Sequence, residues 1–108
     1  MPERRREPRF ESDLSVIIWG VDANGMPFAQ NVFARNISSR GALLSGFEQE
    51  VRCGDLVMIQ YRDKQARFRV VWTRASGDEA KTRIAVQRLE SDPCPWSQLL
   101  DREALAAT

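Results

Sequence analysis

Short apolar runs, β-branched or alternating with polar residues, follow one another along most of the chain, separated by clusters of turn formers. Residues 14–21 (Leu-Ser-Val-Ile-Ile-Trp-Gly-Val) are short, β-branched and aromatic, which suits a strand better than a helix. They run into Asp22-Ala23-Asn24-Gly25, and Asn-Gly is the strongest short hairpin signal. The return strand is expected over about 27–37, with Pro27 at its start, where a missing backbone donor is tolerated. A turn at 38–41 leads to a short strand at 42–45, a polar stretch at 48–55 containing Gly54, and a strand at 56–61. A tight connection at 62–65 precedes a strand at 66–74. There Phe68, Val70 and Trp72 share one face and Arg67, Arg69 and Val71 the other, as expected of a sheet with one wet face.

Residues 75–80 contain Gly77 and Asp78 and read as a loop, after which 81–89 alternates again, with Thr82, Ile84 and Val86 on one face. Six short strands joined by short turns favour a mainly β fold, an antiparallel barrel closed or nearly so, because closure removes exposed edges. The pattern then changes. Ser91-Asp92-Pro93-Cys94-Pro95 is a breaker, and 96–106 holds good helix formers with Trp96, Leu99, Leu100 and Leu105 near one stripe, so a C-terminal helix is expected to pack on the barrel. Trp96 is expected to dock that helix, and Trp19 and Trp72 to be core aromatics. The chain divides into an N-terminal arm (1–12), a barrel (13–90) and the helical segment (91–108).

At 108 residues there is room for one core and no second catalytic domain. Cys53 and Cys94 lie far apart, in no paired metal-ligand spacing, and read as reduced thiols. No apolar run is long enough for a membrane span, and no hydrophobic segment of a signal peptide follows the arginine-rich start, so a cytoplasmic protein is expected. Histidine is absent, which removes the commonest general base and the commonest metal ligand. A non-enzymatic protein without metal or cofactor is the expectation.

The net charge of +1 hides a local asymmetry. Residues 1–10 carry four arginines, Arg4, Arg5, Arg6 and Arg9, against two glutamates, while the rest is close to balanced. Localised positive charge argues for a site and against a surface that coats nucleic acid. Arginine's planar fork matches a phosphate or a guanine edge in bidentate fashion. The turn at 36–41 (Asn-Ile-Ser-Ser-Arg-Gly) adds a side-chain amide, two hydroxyls and a glycine that lets another group approach the backbone.

Arg-x-x-x-Arg (Arg5 and Arg9), followed about thirty residues later by Asn-x-Ser-x-x-Gly (Asn36, Ser38, Gly41), resembles the motif pair of PilZ domains, bacterial receptors for cyclic di-GMP. The resemblance covers about residues 4–106. It implies a six-stranded split barrel with a C-terminal helix, a flexible basic arm wrapping over the outer surface, and the turn between the second and third strands. The strand count above places 36–41 at that junction independently. The resemblance further implies that Arg5 and Arg9 engage phosphates and guanine edges, that Arg4 and Arg6 add phosphate contacts, and that Asn36, Ser38 and Gly41 receive a base. The implied protein is a stand-alone receptor that signals to a protein effector. Two other readings use the same residues. One is a PilZ-like interaction module that does not bind the nucleotide. The other is a small nucleic-acid-binding barrel, against which the acidic Asp55, Asp63, Asp78 and Glu79 stand interspersed with Arg67, Arg69, Arg83 and Arg88.

Overall fold

The computed structural model describes residues 10–75 and 82–107. Among these, six strands and one helix follow in the order β1 (Phe10–Val21), β2 (Pro27–Ile37), β3 (Gly41–Phe47), β4 (Leu56–Tyr61), β5 (Lys64–Ala75), β6 (Thr82–Arg88) and α1 (Ser97–Ala107). All pairings are antiparallel, and the sheet closes in the order β1-β2-β3-β6-β5-β4, with β4 returning to β1. The expected barrel with a C-terminal helix is therefore what the chain forms. The basic arm with Arg4, Arg5, Arg6 and Arg9, and most of the loop expected at 75–80, lie outside the described residues.

Period-two alternation fills the barrel. Val16 and Ile18, Val32 and Ala34, Val57 and Ile59, Ala66, Phe68 and Val70, and Ile84 and Val86 all point inward and are buried. The outward rows are Ser15, Ile17, Trp19 and Val21 on β1, Ala29, Asn31 and Phe33 on β2, and Leu56, Met58 and Gln60 on β4. Trp19 belongs to the outward row because Val16 and Ile18 occupy the inward one. It is half-buried on the barrel's outside, not the core aromatic that was expected.

Bulges set what simple alternation does not. In β3 the register shifts between Leu44 and Phe47, and Gly46, at φ 83°, supplies the left-handed step that returns Phe47 to the core. The strand thus runs past the expected 42–45. In β5 the shift falls between Val70 and Trp72. Val71 is the extra residue, so Trp72 lands on the outer face opposite Ala85 instead of continuing the inward row of Phe68 and Val70. This corrects the expected core position of Trp72, and the physical reason is one inserted residue in a period of two.

The hairpin from β1 to β2 is a five-residue loop, 22–26, larger than a two-residue Asn-Gly turn. The Asp22 carboxylate accepts from the backbone N–H groups of Asn24 and Met26, each at 2.9 Å, and Gly25 sits at φ 81°. Ahead of α1, Trp96 is buried against Phe68 with ring centroids 5.6 Å apart, and Leu100 is buried beside it. The expected docking of the helix by Trp96 holds. A strap at 89–95 is fastened to β5. Arg67 donates to both Asp92 oxygens, from Nε at 3.0 Å and Nη2 at 2.9 Å, and its backbone N–H donates to Asp92 Oδ2 at 2.7 Å.

Candidate ligand-binding site

The turn between β2 and β3 is built by its own side chains. Ser38 N–H donates to the Gly41 carbonyl at 2.9 Å, and the Ser38 hydroxyl oxygen accepts from the N–H groups of Arg40 and Gly41 at 3.2 and 3.3 Å. This is the hydroxyl-capped turn that serine forms readily. Gly41 then starts β3 in register with Gln87 of β6. A Cβ at Gly41 would overlap the Val86 carbonyl oxygen and stand 3.2 Å from Gln87 Cα. Only glycine lets the two backbones lie this close.

The outward carbonyls of the turn are bound from behind. Ser38 C=O accepts from the Trp96 indole Nε1 at 2.7 Å, Ser39 C=O from Arg88 Nε at 2.8 Å, and Arg40 C=O from the Arg88 backbone N–H at 2.6 Å. Arg88 also donates to the carbonyls of Leu89 and Asp92. The turn is thereby held by β6, the strap and the segment leading into α1, a rigid support for any ligand it meets.

In front of the turn an open groove of about 310 Å³ crosses the outer face of β3, β6 and β5. Asn36, Ser38, Arg40 and Gly41 form one side, Val71 and Trp72 the other, with Leu43, Ala85 and Gln87 between. The volume lies at the lower end of the range usual for small-molecule sites, ~300–1,000 Å³. Asn36 is half-buried, in the bulge where β2 and β3 shift register between Ala34 and Ile37. The Arg74 guanidinium lies 4.9 Å from the centre of the Trp72 ring, a stacked arrangement that supports an aromatic platform on the surface. A smaller cavity of about 70 Å³, between the β4–β5 hairpin and α1, is too small for a nucleotide.

The structure thus brings Asn36, Ser38 and Gly41 to one groove, while Arg4, Arg5, Arg6 and Arg9 fall outside the described residues. Where the arm joins the barrel is nevertheless fixed: Phe10 pairs with Ile37, between Asn36 and Ser38. Arg9 is covalently next to that position, and Arg5 is within ~17 Å of it along an extended chain.

Sequence reasoning missed three contributors. Trp72 reaches the groove through a bulge that leaves no mark in the alternation. Arg88 and the Trp96 indole support the turn from sites far along the chain, through contacts that spacing cannot signal. Arg67 pairs with Asp92, Arg69 donates to the Gly54 carbonyl at 3.1 Å, and Arg88 is bound to carbonyls. Three of the four dispersed arginines thus have structural partners, which weakens the nucleic-acid reading. The Arg67 side chain and backbone N–H hold the Asp92 carboxyl well below its ordinary range. Burial pushes the Cys94 thiol up. Among the described residues no cluster of three or more metal-ligating side chains occurs, and no helix is long and apolar enough to cross a membrane.

The chain is thus a small closed six-stranded antiparallel barrel with one C-terminal helix and a groove across its outer face. Its fold is similar to that of two solved structures. That of the Bacillus subtilis inhibitor of motility (MotI/DgrA) is similar over 99% of this chain and 54% of its own, with a TM-score of 0.71 and 16% identity. The K. pneumonia MrkH–c-di-GMP complex is similar over 82% of this chain and 45% of its own, with a TM-score of 0.60 and 17% identity. This chain therefore spans about half the length of either. No protein-family model and no curated protein sequence matches the chain. At these identities the likeness establishes the fold alone.

Proposed function

We propose that the chain is a receptor for cyclic di-GMP, which it binds between its basic arm and the groove beside Asn36 and Ser38, and that it signals without catalysis to a protein effector. The observation that carries this reading is the pairing of Phe10 with Ile37, because it sets the residue that follows Arg9 in the sequence beside Asn36 and Ser38, which line the groove. The likeness to MrkH, solved as a complex with c-di-GMP, adds support at the level of the fold.

The ligand carries two phosphates and two guanines. Arg5 and Arg9 can neutralise the phosphates and donate to guanine O6 and N7, with Arg4 and Arg6 adding charge. The Asn36 amide faces a guanine edge with both donor and acceptor, and Trp72 offers a ring on which a base can stack. The Ser38 oxygen already accepts two backbone donors, leaving its O–H to donate to the ligand. Ordering the arm costs on the order of 1–2 kcal/mol per residue, and charge-assisted contacts of roughly 1.5–3 kcal/mol each offset it only when several form together. The ordered arm is a new surface for an effector to read.

Isothermal titration with cyclic di-GMP, with GTP as the control ligand, is the test. Saturable binding at micromolar or lower concentration that GTP does not reproduce is expected. Arg5→Ala or Arg9→Ala should weaken it at least tenfold, about 1.4 kcal/mol. Wild-type affinity in both variants would remove the arm from the site.

One observation favours the second reading, a barrel of this kind that contacts proteins and no nucleotide. Gly41 is required by the Val86 carbonyl and Ser38 by the turn, so the fold would retain both without a ligand. Absence of heat and of thermal stabilisation would establish that reading.

A further inference from the structure

Beyond Trp72 and Ala85, the outer face of β5 and β6 carries two arginines set against each other. The register runs Arg69 opposite Gln87, Trp72 opposite Ala85 and Arg74 opposite Arg83. Side chains two residues apart on a strand share a face and lie ~7 Å apart along it, so the Arg74–Arg83 pair stands on the face of the groove, next to Trp72. Both side chains are exposed. Residues directly opposite in an antiparallel pair have Cβ atoms ~4.5–5.5 Å apart, and like charges there are destabilising. The other arginines of these two strands are engaged: Arg67 with Asp92, Arg69 with the Gly54 carbonyl and Arg88 with the Ser39 carbonyl. Among the described residues no carboxylate or carbonyl accepts from Arg74 or Arg83. Arg74 is instead held over the Trp72 ring, 4.9 Å from its centre, a contact that fixes the guanidinium and uses none of its N–H donors.

We propose that Arg74 and Arg83 form a second phosphate subsite, on the bank of the groove opposite the arm, which takes one phosphate of the ligand while the arm takes the other. This deepens the cyclic di-GMP reading and rests on it for the identity of the ligand. An anion between two guanidinium groups turns their repulsion into charge-assisted hydrogen bonds, and the planar fork of each matches phosphate oxygens. The two banks are distinct: Phe10 pairs with Ile37 on the side of Asn36 and Ser38, whereas Trp72, Arg74 and Arg83 belong to the far side, on β5 and β6. In cyclic di-GMP a ribose separates each guanine from a phosphate, so a base on Trp72 carries its phosphate within reach of the neighbouring pair. A ligand with a single phosphate cannot meet the arm and the pair together. The subsite therefore selects for two phosphates set apart, and the two arginines are specificity-determining residues.

Isothermal titration with cyclic di-GMP and thermal melts without ligand, both on the full chain, test the subsite. Arg83→Gln should weaken cyclic di-GMP binding at least tenfold and, by removing the repulsion, raise the ligand-free Tm by about 1–6 °C. Arg74→Gln should weaken binding likewise and serves if the first variant does not fold. Wild-type affinity in both variants overturns the proposal. So does a loss of affinity accompanied by a fall in Tm in both, which would make the arginines structural, with Asp78 and Glu79 of the connection from β5 to β6 as their partners. Melts in pyrophosphate at fixed ionic strength keep the two readings separate. If the wild-type chain binds no cyclic di-GMP, the nucleotide reading falls; a larger pyrophosphate-induced gain in Tm for wild type than for Arg83→Gln then retains the subsite for another phosphate ligand, and an equal gain overturns it.

Discussion

At Gly41 and Trp72 two groove residues have opposite relations to the fold. Gly41 lies against β6 with no room for a methyl group, because the Val86 carbonyl occupies the space a Cβ would need. Gly41→Ala should therefore force β3 from β6 and destabilise the barrel by about 1–3 kcal/mol, the usual range for overpacking, measured as a fall in the urea midpoint. Trp72 can be removed at little structural expense, since it stands outside the barrel against Arg74. Trp72→Ala should change stability by under ~1 kcal/mol, where a core tryptophan would cost about 3–5 kcal/mol. The same variant should weaken cyclic di-GMP binding by roughly 1–3 kcal/mol, the range for loss of one base–aromatic stack, read in parallel by denaturation and titration. The grouping of Asn36, Ser38 and Gly41, which line one groove, was legible through the resemblance their motif carries. The division of labour among them was not, because it depends on how closely β6 approaches Gly41 and on which backbone groups the Ser38 hydroxyl meets.

The strap and the β2–β3 turn act at the scale of elements. Arg67 and Asp92 fasten residues 89–95 to β5, and Trp96 and Arg88 then hold the turn from behind. Asp92 has its pKa lowered from an ordinary 3.8 by the Arg67 side chain first and its backbone N–H second. A carboxyl with a lowered folded-state pKa contributes stability that is complete above its unfolded value and is lost as pH falls through the folded one. The stability difference between wild type and Asp92→Asn should therefore be constant from about pH 7 to pH 5 and shrink on acidification below about pH 4, as followed by thermal melts at several pH values. A gap that widened on acidification would mean that Asp92 is not the residue holding the strap. Element positions were largely readable: β2 and β4 fall where period-two patterning and turn chemistry put them, at Pro27–Ile37 and Leu56–Tyr61. β3 and β5 depart from the reading: bulges carry β3 on to Phe47 and turn Trp72 of β5 outward, while the bulge of β2 between Ala34 and Ile37 leaves its bounds where they were expected. Whether a strand bulges depends on its partner's register and on closing the barrel, neither of which a single strand's sequence contains.

For the molecule as a whole, a ligand that bridges the arm and the groove binds only the folded barrel and must stabilise it. At a hundredfold excess over the dissociation constant the gain is about 2.7 kcal/mol, which for a domain of this size should raise Tm by roughly 10–20 °C, against no shift with GTP. By itself the sequence determined the class of fold, because alternating apolar residues can bury one face only in a sheet and six short strands leave edges that closure removes. It also determined that the chain carries a cluster of arginines and a serine-glycine turn, since these are matters of composition and spacing. The tertiary structure alone decided that Phe10 lies beside Ile37, that Trp72 turns outward to the groove, and that Arg74 faces Arg83 across β5 and β6. Each of these follows from inter-strand register, which is set by contacts between residues distant in the chain and by the bulges that let six strands meet as a barrel.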